Sequence, residues 1–142
     1  MAEDNKSIMQ RAYDEILNEG NLELADEIVA EDLTEHEQFP GLEPGREGFK
    51  GFVTMFREAF PDLQVTVEDM IAEGDRVAAR VTMRGTHQGE FLGIAGTGNR
   101  IEVPGVDIVR FSDGMAVEHW GVTDNMALMV QLGAADPTAI GG

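Results

Sequence analysis

Three side chains in the last third of the chain have the types and the setting for proton-transfer chemistry: Asp107, His119 and Asp124. Each interrupts a run rich in β-forming residues. Gly105-Val-Asp-Ile-Val-Arg-Phe-Ser-Asp-Gly114 leads through Ser112-Asp113-Gly114, a favourable turn sequence, into Met115-Ala-Val-Glu-His-Trp-Gly-Val-Thr-Asp124. Side chains alternate along a strand, so Asp107 points where Ile101, Val103, Val109 and Phe111 point. An ionised carboxylate among apolar side chains is costly and needs a partner, a shifted pKa or a use. The use would be acid or base catalysis. The structural alternative is an ion pair with Arg80, Arg84 or Arg110, or a contact in a dimer. His119 shares the other face of its strand with Val117 and Gly121, and can either pass a proton to an enolate oxygen or sit as a hydrogen-bonded structural residue. Asp124 follows Trp120 and Val122 and precedes an apolar helical segment. It serves equally as a general acid/base or as the N-cap of that helix.

The elements that must carry these groups can be read from periodicity. Residues 4 to 30 give two helices: Ile8, Ala12, Ile16 and Leu17 stripe the first, and Leu22, Leu24, Ala25, Ile28 and Val29 the second. Thr34 to Phe39 is an extended link containing His36, and Pro40 to Gly45 a loop. A third helix from about Arg46 turns Phe49, Phe52, Val53, Phe56 and Phe60 inward and stops at Pro61. The period then changes to two, with Leu63, Val65, Val67 and Ile71 on one face, a strand from Val77 to Thr86, and another over 100 to 111. Met126 to Leu132 suggests a closing helix. Helices followed by a four-stranded antiparallel meander make an α+β domain over 1–133, with a C-terminal tail over 134–142.

Composition removes several classes of function. Ten basic against 27 acidic residues give a net charge of −17, a field that repels nucleic acid and anionic membranes. Such an acidic surface suits a high-salt cytoplasm. No apolar run approaches the ~18 residues of a membrane span, and the first residues lack the basic start and apolar stretch of a signal peptide. A cytoplasmic protein is expected. With no cysteine there is neither a thiolate nucleophile nor a Cys-based zinc site. His36, His87 and His119 are dozens of residues apart with no helical His-x-x-x-His pair, so no metal is expected. The glycines from Gly93 to Gly98 precede a strand rather than a helix, which rules out a phosphate loop.

Several pieces in order carry a resemblance. Gly45-Arg-Glu-Gly-Phe49, Ala59-Phe-Pro-Asp-Leu63, Gly85-Thr-His-Gln-Gly-Glu-Phe-Leu-Gly93, Asp113-Gly114, Glu118-His-Trp120, Asp124 and Gln131-Leu-Gly133 together resemble the SnoaL-like polyketide cyclases of the NTF2-like superfamily, from about residue 5 to 133. The resemblance implies a cone: a curved antiparallel sheet of about four main strands wrapped by three N-terminal helices, a short C-terminal helix, a deep pocket, and a homodimer formed through the sheet. It places Tyr13 in the pocket wall and His36 at its mouth. The family's acid/base aspartate on the last strand aligns with position 121 or 124. If it aligns with 121, which is glycine here, Asp107 or Asp124 must substitute or the activity is absent.

The reading that follows is a cofactor-free cyclase performing an intramolecular aldol condensation on a polyketide-like ester. Asp124 or Asp107 would take the proton, while His119 and Tyr13 hold the enolate. Phe52, Phe56 and Trp120 are core residues that could also stack on a flat polycyclic ligand, and His87 would organise its glycine-rich loop or reach the ligand. The alternatives are a non-catalytic binding protein of the same fold, a cofactor-free epoxide hydrolase built on an Asp-Arg-Asp set, and an isomerase.

Overall fold

A computed structural model of the protein describes residues 2–37 and 39–135. Helix α1 (Ala2–Arg11) runs on into a wider π-helical segment (Ala12–Leu17), in which the Asn18 N–H bonds the Tyr13 carbonyl at 3.0 Å. Then come α2 (Glu23–Ile28), β1 (Val29–Glu35), α3 (Gly45–Ala59), β2 (Gln64–Glu73), β3 (Arg76–Thr86), β4 (Arg100–Ser112), β5 (Met115–Thr123) and α4 (Asn125–Gln131). The five strands form one curved sheet in the order β1-β5-β4-β3-β2, with helices packed on one side.

The β4–β5 hairpin closes on Asp113 and Gly114, both at positive φ, the backbone that a tight two-residue turn requires. The first helical layer is pinned to the sheet by polar contacts. The Asn18 side chain donates to the Val65 carbonyl at 3.0 Å and accepts from the Val65 N–H at 2.6 Å, while Arg57 donates to the carbonyls of Leu17 and Asn18. Between helices and sheet lies an aromatic core in which Phe56, Phe60 and Phe91 are fully buried with ring centroids 5.0 to 6.1 Å apart.

Two readings of the sequence need correction. The sheet has a fifth strand: Val29 leaves the helical stripe for extended backbone (φ −118, ψ 128), and β1 pairs parallel to β5. The segment read as helix end plus link thus becomes an edge strand, and just past its end the His36 N–H meets the His119 carbonyl at 2.9 Å. The second concerns Ile71, which does not share the face of Leu63 and Val65. The β2–β3 register slips between Val67 and Asp69, and one extra residue inverts the alternation. Ile71 is consequently 70% exposed while Met70 and Ala72 pack against the core. The tail expected over 134–142 lies outside the described residues from 136 onward.

Candidate active site

Sheet register decides which side chains meet. Asp107 stands opposite Gly121, and Val109 opposite His119, so Asp107 and His119 are diagonal neighbours on the inner face of the β4–β5 hairpin. The parallel pairing of β1 sets Glu35 beside His119. From the opposite wall, the π-helical segment supplies Tyr13, only 7% exposed. The result is a continuous hydrogen-bonded chain. Tyr13 Oη donates to Asp107 Oδ2 at 2.5 Å, His119 Nε2 bonds Asp107 Oδ1 at 2.8 Å, and His119 Nδ1 bonds Glu35 Oε1 at 2.5 Å.

These groups lie in the wall of a cavity of about 570 Å³ whose surface is mainly apolar, with Ile8, Leu33, Phe52, Phe56, Val81 and Met83 among its lining. That volume is within the range of small-molecule sites. Electrostatics inside it are strong. Burial pulls the His119 imidazole towards neutrality, but the hydrogen bonds and charges of Asp107 and Glu35 outweigh it and hold its pKa up at about 10. Burial pushes the Tyr13 phenol well above its ordinary range, and the Asp107 carboxylate adds to the effect. Tyr13 is therefore a lasting hydrogen-bond donor, and His119 a buried cation between two carboxylates.

Glu35 and a further carboxylate, Glu37, escaped the sequence reading. Glu37 lines the cavity, and the Thr123 hydroxyl donates to its Oε2 at 3.0 Å. Its own N–H donates to Glu35 Oε1 at 2.8 Å. Burial, then the nearby charge of Asp107, raises its pKa. The available signal was the period of two around His36, with Glu35 and Glu37 on one side and His36 on the other.

Of the residues singled out in the sequence, Asp107, His119, Tyr13, Phe52 and Phe56 line the cavity together. Asp124 does not join them: it is exposed, and its Oδ1 accepts from the Ala127 N–H at 2.9 Å as the N-cap of α4. His36 and Trp120 also lie outside the cavity lining, stacked on each other with centroids 5.0 Å apart, and Arg76 sits 5.0 Å from the Trp120 ring. His36 Nε2 bonds Glu118 there at 2.7 Å. His87 is fully buried and organises its loop, its Nδ1 3.0 Å from Thr97 Oγ1 and its backbone bonded to Gly98 and Asn99. The arginines proposed as partners of Asp107 bond elsewhere, Arg80 to Asp69, Arg84 to Glu102 and Arg110 to Glu118. The Asp-Arg-Asp set of an epoxide hydrolase is therefore not assembled around Asp107.

Glu37, Asp107 and His119 bring potential ligand atoms within 4.8 Å of one another. A cation could be held there only if the imidazole gave up its proton and its bond to Asp107. The bonds already made describe a proton network, and we read it as one. Among the described residues no helix is long and apolar enough to cross a membrane.

Comparison with known proteins agrees with this architecture. Residues 7–132 match the family model for the SnoaL-like polyketide cyclase. The aklanonic acid methyl ester cyclase DnrD of Streptomyces peucetius is 30% identical over 99 residues, spanning 68% of this chain and 68% of that protein. The structure of TsrD from Streptomyces laurentii superposes with a TM-score of 0.85 at 30% identity, covering 94% of this chain and 97% of its own. That of wild-type IdmH from Streptomyces antibioticus does so at 0.78 and 36% identity, covering 91% and 98%. The chain belongs to the SnoaL-like polyketide cyclase family.

Proposed function

We propose that the protein is a cofactor-free cyclase that closes a ring in a polyketide-like ester by intramolecular aldol condensation. The observation carrying this reading is the Tyr13–Asp107–His119–Glu35 chain set into the wall of an apolar cavity. A carbon between two carbonyls is acidic enough to lose its proton to a carboxylate, because the substrate's own conjugation holds the carbanion. The imidazolium offsets negative charge as it develops, and the Tyr13 hydroxyl becomes a donor to the enolate oxygen when that oxygen draws its single proton away from Asp107. Apolar walls fold the substrate so that the enolate carbon meets its carbonyl, which removes much of the entropic barrier. The likeness to a methyl ester cyclase supports an ester of this class as substrate.

One observation favours a second reading, a binding protein without chemistry. Both oxygens of Asp107 and both ring nitrogens of His119 already have partners within the protein, as in a structural polar core. Incubation with open-chain aromatic β-keto methyl esters, followed by chromatography with mass detection, decides between them. The cyclase gives a product of unchanged mass and altered retention. Binding seen by calorimetry with no product overturns the cyclase, and a product heavier by one water identifies a hydrolase.

A second copy of the chain is the partner we propose, docked on the outer sheet face. Cross-strand register lines up Trp120, Ile108, Ala78 and Ile71, with Val122 beside Val106 in the next row. Val122 is 73% exposed and Val106 45%, an apolar surface that a symmetric dimer would cover. A cytoplasmic location goes with this reading.

A further inference from the structure

The cyclase reading names a cluster but leaves open which atom exchanges a proton with the substrate. Asp107 is poorly placed for that task, because Tyr13 bonds one of its oxygens and His119 the other. His119 is equally engaged, by Asp107 and Glu35. Glu37 differs. It leaves the end of β1, is held by its own N–H on Glu35, and folds back over β5, where Thr123 anchors Oε2. Among the described residues its Oε1 accepts no hydrogen bond.

The space Glu37 occupies exists because residue 121 is glycine. A Cβ at that position would overlap Glu37 Oε1, and would lie 2.8 Å from His119 Cε1 and 2.9 Å from Asp107 Oδ1. The carboxylate thus fills the volume a side chain on the last strand would take, at the centre of the cluster and in the cavity wall. We propose that Glu37 is the catalytic residue that takes the proton from the substrate's activated carbon and returns it to the product oxygen, an assignment that rests on the cyclase reading.

The step balances without any co-reactant. The Glu37 carboxylate accepts the proton, and the C–H electron pair becomes the enolate. The enolate carbon attacks the internal carbonyl carbon, forming the C–C bond while the C=O π pair moves to oxygen. That alkoxide takes the proton from the Glu37 carboxylic acid, which regenerates the carboxylate. Asp107 and His119 act as positioning residues. The charged and titratable groups facing Glu37 are Asp107 on β4, His119 on β5, Glu35 on β1 and Tyr13 on the π-helical segment. Its raised pKa brings the carboxyl closer to the neutral range, where a group serves best as both base and acid.

The test uses a β-keto methyl ester that the wild type cyclises, with kcat, KM and the pH profile of kcat/KM measured for Glu37→Gln, Glu37→Ala and the double variant Glu37→Ala/Gly121→Asp. Glu37→Gln is expected to lower kcat by about 10²–10⁴-fold with KM changed little, and to remove the acid limb of the profile. The double variant grows a carboxylate from the strand into the vacated volume, and is expected to run at least about tenfold faster than Glu37→Ala. This rescue separates chemistry from folding. Product formed equally by the wild type and Glu37→Gln, with the acid limb intact, overturns the assignment while leaving the cyclase standing. So does a double variant that folds and keeps the wild-type His119 titration yet runs no faster than Glu37→Ala. No product from the wild type overturns the cyclase reading and this assignment with it.

Discussion

Holding His119 charged inside the protein ties stability to pH over a range where most proteins are indifferent. Its pKa rises from the ordinary 6.5 to about 10 on folding. The folded state therefore binds more protons than the unfolded chain between those values. The stabilisation is complete below about 6.5 and is lost as pH climbs through about 10. At ~1.4 kcal/mol per pKa unit the whole effect is about 5 kcal/mol, an upper value because the group is coupled to Asp107 and Glu35. The imidazole side chain is only 19% exposed, so solvent screens little of it. Set against the roughly 5–15 kcal/mol that keeps a domain folded, this is a large share. The assay is urea unfolding of the wild type and His119→Gln at intervals from pH 6 to 11, followed by the fluorescence of Trp120, with the His119 Cε1 proton titrated by NMR alongside. The stability gap between the two proteins should narrow by several kcal/mol as pH rises, most steeply between about pH 7 and about pH 9.5, because the variant lacks the proton from the start. A His119 resonance that titrates near 6.5, or a gap independent of pH, would refute the argument that two carboxylates hold this imidazolium in place.

Further outcomes follow from the same geometry. Gly121→Ala should cost about 1–3 kcal/mol in chemical denaturation, because the new methyl overlaps Glu37 and crowds His119 and Asp107; unchanged stability would mean that Glu37 rests elsewhere. Asp124→Ala removes the cap on the Ala127 N–H and should lower stability by ~1 kcal/mol with kcat retained. A loss of turnover without a loss of stability would return Asp124 to the chemistry. Val122→Glu places a charge on the exposed apolar row beside Val106 and should convert a dimer to a monomer in light scattering at micromolar concentration; a wild type that is already monomeric would remove the dimer proposal.

The parts legible in the sequence were those governed by local rules. Alternation along β4 sent Asp107 inward with Val103 and Val109, and the phenylalanine spacing of α3 placed Phe52 and Phe56 against the cavity. What escaped depended on distant partners or on a change of phase. β1 reads as helix because Leu24, Ala25, Ile28 and Val29 fit a helical stripe, and the pairing that makes it a strand comes from β5, far along the chain. Glu35 and Glu37 do not stand out in a chain with 27 acidic residues. Their partners His119 and Thr123 reach them only once that parallel strand has formed. His36 and Trp120 carried family-like positions yet face away from the cavity, since alternation puts them opposite Glu35, Glu37 and His119. Ile71 was misplaced by a single bulge, which composition does not reveal. Asp124 had two equal readings, and the helix beginning after it took the carboxylate as its cap.

The most direct measurement is a crystal structure with a β-keto methyl ester whose electrophilic carbonyl is replaced by a methylene, so that ring closure cannot occur. The ligand is expected inside the apolar cavity, its activated carbon within about 3.5 Å of the Glu37 carboxylate and a keto oxygen turned towards Tyr13. A ligand bound with that carbon away from the Glu37–Asp107–His119 cluster, or seated on the outer face beside Trp120, would contradict it.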